Sequence, residues 1–225
     1  SDKEYEQHIP AAVKEGKLTR ERLDDAVRSV LRVRMRLGEF DRFDQVPYSK
    51  ISPAVVGSAP HRAVALKAAQ QSIVLLENKK KLLPLDAAKL KRVAVFGPLI
   101  DEVIINNYCG VPQGAITPLQ GLKNRLPAGC ELVTTKGAML GGKKHHYFNI
   151  ADPRPVDAAS EINRAVLLAK DCDVAIIVVG SNHTIEQEDR DRTQLSLYGN
   201  QLDMIKAVVA VNPHTIVVQC TAGPI

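Results

Sequence analysis

No tryptophan occurs among the 225 residues of this chain, and aromatic side chains amount to only 4% of it. Any flat surface for stacking a ligand must therefore come from its five tyrosines or four phenylalanines. The four cysteines, Cys109, Cys130, Cys172 and Cys220, form no CxxC pair and have no histidine at metal-ligand spacing. They read as ordinary cysteines, three of them next to or within strand-like runs where a thiol serves as a small hydrophobe. The adjacent His145 and His146 would project to different sides of an extended chain, which argues against a shared metal ion. No apolar run approaches the roughly 20 residues needed to span a bilayer, and no secretory leader opens the sequence. The net charge of +5 is mild. Its basic residues are scattered rather than clustered with aromatics, so neither nucleic acid nor a membrane is an expected partner. The turn after VAVF reads GPLIDE, without the GxGxxG or GxxxxGK[ST] glycines that cradle phosphates, and no GxSxG elbow follows any strand. No metal or organic cofactor is expected.

What is present suits a globular core, with 45% hydrophobic and 24% charged residues. LTRERLDDAVRSVLRVRMRLGEF places Leu23, Val27, Val30 and Leu31 at helical spacing, with Thr19 as N-cap and Gly38 able to end the helix. EFDRFDQVPYSKISPAVVGSAPHR, with three prolines and little periodicity, reads as a linker, after which Ser58 starts a helix through HRAVALKAAQQ. SIVLLEN reads as a short strand, KKKLLPL as a turn and KRVAVFGP as a strand. Helix and strand then alternate: TPLQGLKNRL before ELVTTKG, ASEINRAVLLAK before DVAIIVVG, and GNQLDMIKAVVAV before HTIVVQC. Continuous apolar strands separated by amphipathic helices imply an α/β fold with a mainly parallel open sheet covered on both faces. Residues 137–155 read as a long irregular loop or a place for an insertion. The chain starts at Ser1 and stops at TAGPI directly after a strand-like run, which reads as a piece of something longer. The missing leader therefore says nothing about export, and no compartment is assigned.

In open parallel sheets ligands bind beyond the carboxyl ends of the strands. TIEQEDRDR, residues 184–192, stands there, just beyond DVAIIVVG and the Ser181–Asn182–His183 that follow it. Taken alone, such a charge-dense run reads as a solvated turn. It belongs, however, to a loop of about eighteen residues, and structureless loops longer than about 12 to 15 are uncommon unless functional or disordered. NNYCGVPQGAITP, after KRVAVFGP, should open on the same edge. The first loop offers Glu186, Glu188, Asp189 and Asp191, interleaved with Arg190 and Arg192. One of these carboxyls could act as a general acid tuned by neighbouring charge. Glycoside hydrolysis needs such a group opposite a second carboxylate.

AAVKEGKLTRERLDDAVRSVLRVRMRLGEFD, followed by VPYSKI, HRAVALKAAQQSIVLLEN, LLPL and KRVAVFGP, resembles the junction between the two catalytic domains of glycoside hydrolase family 3. NYCGVPQGAITPLQGLK and GSNHTIEQEDRDRTQLSLYGNQLDMIKAVVAVNPHTIVVQCTAGP continue the match, nearest to its β-glucosidase and β-xylosidase group. The resemblance implies an exo-acting, retaining β-glycosidase that hydrolyses terminal β-linked sugars, built from a (β/α)8-type barrel and an α/β sandwich. Residues 1–40 would then end the barrel, 41–71 form the linker and first helix, and 72–225 a sandwich truncated at its C-terminus. The nucleophile, an aspartate of the barrel, would lie outside this sequence. The acid/base glutamate falls in an ExxDR pattern, which Glu188, Asp191 and Arg192 fit. Glu188 is thus the expected proton donor, with Glu186 as the alternative should the loop align two residues away. Asp191 and Arg192 are expected to order the loop, and Asn182, His183 and Tyr108 to contact substrate. The partners expected are a β-linked glycoside and the missing barrel. A catalytically inactive sugar-binding or structural α/β domain is the alternative reading.

Overall fold

A computed structural model of the chain describes residues 2–105, 108–110, 112, 114–140, 157–188 and 191–225. His145, His146, Asp189, Arg190 and most of the expected loop at 137–155 lie outside these residues. The chain divides into two compact units, Ser1–Val74 and Leu75–Ile225.

The first unit is helical. α1 (Asp2–Lys14) carries Pro10 inside it, with Tyr5, Ile9, Ala12 and Val13 at helical spacing. α2 (Arg20–Arg36) begins as expected at Thr19, whose hydroxyl accepts the amide of Arg22 at 3.1 Å. It ends just before Gly38, whose positive φ of 77° lets the chain turn away. The expected linker contains three short 3-10 turns, Phe43–Gln45, Pro47–Lys50 and Pro53–Val55, and α3 follows over Ala59–Ser72. None of the described residues of this unit is buried.

The second unit carries four parallel strands in the order β2-β1-β3-β4: β1 (Arg92–Phe96), β2 (Glu131–Thr135), β3 (Val174–Gly180) and β4 (Thr215–Cys220). Side chains of β1 and β3 alternate between two cores. Ala94, Phe96, Ala175, Ile177 and Val179 pack with α5 (Ala158–Ala169) and α6 (Gln201–Val211) through Ala165, Ala169, Met204 and Val208. Val93, Val95, Val174, Ile176 and Val178 pack with Leu99 and with Leu119 and Leu122 of α4 (Pro118–Lys123). Helices thus cover both faces, as the continuous apolar strands implied. β3, central and buried throughout, is DVAIIVVG made structural.

SIVLLEN corrects the sequence reading. Residues 73–78 form no strand, and Ile73 and Leu76 are 78% and 81% exposed. β-branched composition favours a strand only where a partner supplies a ladder and a covered face, and among the described residues this segment has neither.

At the amino ends of the strands, the Asp173 carboxylate accepts the amides of Lys91 and Arg92 at 2.6 and 2.8 Å, tying β1 to β3. At the carboxyl end, Gly180 holds a φ of 144°, and a Cβ there would run into the carbonyl of Cys220. That close approach lets the chain leave β3 across the top of β4.

Candidate active site

Because β1 and β3 are neighbours, the loops that follow them open side by side, as expected from the sequence. Together with the segment after β4 they line a cavity of about 910 Å³. Its walls include Tyr108 from the first loop, Ser181 to His183 and Glu186 to Glu188 from the second, and Cys220 to Gly223 from the third.

The two glutamates of IEQE have different surroundings. Glu186 and Arg192 form an ion pair at 2.7 Å with side chains only 13% and 14% exposed. The other Glu186 oxygen, Oε1, accepts the hydroxyl of Ser181 and the amide of Ala222 at 3.2 Å. Both carboxylate oxygens are therefore occupied by protein donors. Arg192 also donates through Nη1 to the carbonyl of Pro224 at 3.2 Å, so its fork spans the loop and the segment after β4. Glu188 is exposed on the cavity wall, and the Tyr108 hydroxyl donates to its Oε2. Asp191 lines the same cavity and is exposed.

Asn182 is buried, with both ends of its amide engaged: Nδ2 donates to Glu102 at 2.7 Å, and Oδ1 accepts the amide and hydroxyl of Thr184 at 3.0 and 2.7 Å. It joins the loop after β3 to the loop after β1. His183, 8% exposed, lines the cavity. Further along, Tyr198 accepts the Thr193 amide at 2.9 Å, and hydrogen bonding from Thr193, first its side chain and then its backbone, pulls the phenol below its usual value. Cys220 lines the cavity with a thiol that burial pushes up, which keeps it protonated and weakly nucleophilic near neutral pH. Among the described residues no group of three or more His, Cys, Asp and Glu side chains could hold a metal ion.

Several residues that build the site carry no sequence signal of their own. Ser181, Glu102 and Gln201 are common polar residues, and the amide of Ala222 is backbone. Gln201, fully buried, accepts the Gly180 amide at 2.8 Å and donates to the Gly180 and Tyr198 carbonyls at 3.0 and 2.8 Å, fixing the end of β3. Its place one residue after Asn200, at the start of a helix following the charged loop, was the available hint.

Residues 73–225 match the glycosyl hydrolase family 3 C-terminal domain. The chain is 36% identical over 221 residues to β-D-xylosidase 1 of Arabidopsis thaliana, covering 95% of this chain and 26% of that protein. It is 32% identical over 244 residues to a periplasmic β-glucosidase of Salmonella typhimurium, covering 100% of this chain and 31% of that protein. Among solved structures, a β-glucosidase involved in saponin metabolism from intestinal bacteria superposes with a TM-score of 0.80 at 30% identity, over 100% of this chain and 32% of that one. A GH3 exo-β-xylosidase in complex with a xylobiose aziridine activity-based probe gives a TM-score of 0.76 at 29% identity, over 96% of this chain and 26% of that one. The chain spans less than a third of the length of these relatives. Agreement of a domain match, sequence relatives and fold places it in one family: the chain belongs to glycosyl hydrolase family 3.

Proposed function

We propose that this chain supplies the proton-donating loop of an exo-acting, retaining β-glycosidase that removes terminal β-linked xylose or glucose, with Glu188 as the general acid/base. The observation that carries the reading is the contrast between two carboxylates two residues apart. Glu186 has both oxygens occupied by protein donors, whereas Glu188 stands exposed on the cavity wall against a single phenol. The xylosidase and glucosidase names of the relatives support the substrate class.

In this mechanism Glu188 gives its proton to the glycosidic oxygen as the bond from that oxygen to the anomeric carbon breaks. A carboxylate outside this chain, on a barrel domain, bonds to the anomeric carbon from the opposite face. Glu188, now ionised, takes a proton from water as the water attacks that carbon and releases the second carboxylate. The paired carboxyls are expected about 5 to 5.5 Å apart. Residues 1–40 end the barrel, 41–71 link, and 72–225 form the sandwich. Tyr108 holds the Glu188 carboxylate, His183 faces the sugar, and Asn182 shapes the wall by joining the two loops. Asp191 borders the same space.

Glu188→Ala in the complete protein is expected to lower kcat/KM for alkyl β-glycosides by about 10²- to 10⁴-fold, the usual worth of a positioned acid. Activated aryl glycosides, whose leaving groups depart without a proton, should lose far less. A variant equally active on both substrate classes overturns the assignment.

A further inference from the structure

We infer that the Glu186–Arg192 ion pair is a latch that fastens the acid/base loop across the carboxyl ends of β3 and β4, making Glu186 a positioning residue rather than a proton donor. The inference rests on the reading of Glu188 as the acid/base.

Three segments meet at Glu186. Ser181, the first residue after β3, donates its hydroxyl to Oε1, and Ala222, two residues after β4, donates its amide to the same oxygen. Arg192, on the far side of the charged run, donates to Oε2 and reaches on to the Pro224 carbonyl. Glu186 and Arg192 are thereby both held in place, and Glu188 lies two residues after the first. Such contacts hold because they are charge-assisted and shielded: a carboxylate and a guanidinium removed from water keep the geometry that a solvated pair would lose to competing hydration. The strand ends below are themselves joined, since the Ser181 amide donates to the Cys220 carbonyl at 3.0 Å. The latch therefore rests on rigid sheet rather than on another loop.

Gly223 completes it. A Cβ at that position would sit 2.7 Å from Arg192 Nη2. A side chain end can usually swing aside, but this guanidinium is held by Glu186 and Pro224. Gly223→Ala should therefore displace Arg192 while altering no charge and no hydrogen-bonding group. Positioning of this kind matters because a donor displaced by about 1 Å can lose about 100-fold in rate.

The test compares Glu186→Gln, Arg192→Lys and Gly223→Ala in the complete protein, on an alkyl and an activated aryl β-glycoside, with and without sodium azide, alongside thermal melts and Glu188→Ala. The latch predicts that each variant loses about 10- to 100-fold in kcat on the alkyl glycoside and much less on the aryl one. KM should move little, and the melting temperature should fall most for Glu186→Gln, which leaves the shielded Arg192 without its counter-charge, and least for Gly223→Ala, which keeps both charges. Azide should restore nothing, because the Glu188 carboxylate still fills the place azide would take. Glu186→Gln and Arg192→Lys combined should be no worse than either alone. Azide rescue of Glu186→Gln would show Glu186 to be the acid itself, and wild-type kinetics in all three variants, or equal losses on both substrates, would also overturn the latch. Failure of the Glu188 reading looks different: Glu188→Ala would then stay active on alkyl glycosides while the three latch variants keep their selective defect.

Discussion

Two glutamates separated by one residue can hold unlike roles because their neighbours, not their spacing, decide what each is free to do. Along an extended segment Glu186 and Glu188 would share a side, but the amides of Ile185 and Glu186 both turn back onto the Asn182 carbonyl, at 2.9 and 3.1 Å. Resemblance made Glu188 the expected donor and Glu186 the alternative, but the local pattern of residues could not show how their surroundings differ, since the Ala222 amide that engages Glu186 is 36 residues away. A second carboxylate illustrates how such contacts set pH behaviour. Amides of Arg92, chiefly, and Lys91 hold the Asp173 carboxyl below the usual carboxylate range. A depressed folded value means that its stabilisation is complete above the unfolded value of about 3.9 and is lost as pH falls through the folded one. Asp173→Ala should therefore destabilise this chain by about 1 kcal/mol or less, solvent exposure weakening the bonds. Urea unfolding from pH 8 downward should show that difference constant to about pH 5, shrinking below about pH 4 and lost only below the depressed folded value; a difference that grows in acid would contradict it.

At the scale of elements, β3 was legible because a strand covered on both faces must be apolar without interruption, and DVAIIVVG is. SIVLLEN has similar composition and forms no strand, because pairing is a property of two segments and only one is visible in a local pattern. α1 reads less clearly because Pro10 interrupts a short stripe of Tyr5, Ile9, Ala12 and Val13, and proline inside a helical pattern argues against helix. Where helix and strand meet, buried Gln201 pairs with both backbone groups of Gly180, as a neighbouring strand would. Gln201→Leu keeps the volume but leaves that amide and carbonyl unpaired, for an expected loss of about 2–4 kcal/mol in urea unfolding. A change under about 0.5 kcal/mol would mean water replaces the side chain without cost.

At the scale of the whole molecule, the match to the family's C-terminal domain over residues 73–225 and the coverage of under a third of the relatives both bear on what this chain can do by itself. If the nucleophile lies on a barrel domain, the 225 residues alone should hydrolyse neither alkyl nor activated aryl β-glycosides, whereas the complete protein should hydrolyse both. The place of the Glu188 loop beyond β3, on the wall of a cavity, was legible in the sequence, whereas the acid/base role proposed for it came only through resemblance, because that chemistry needs a second carboxylate that no local pattern shows. The decisive experiment is proton NMR of the product that the complete Glu188→Ala protein makes from an activated aryl β-glycoside in azide. With Glu188 as acid/base in a retaining mechanism, azide enters the emptied site and a β-glycosyl azide accumulates. Free sugar alone from Glu188→Ala, with the β-glycosyl azide appearing instead from Glu186→Ala, would contradict that role for Glu188.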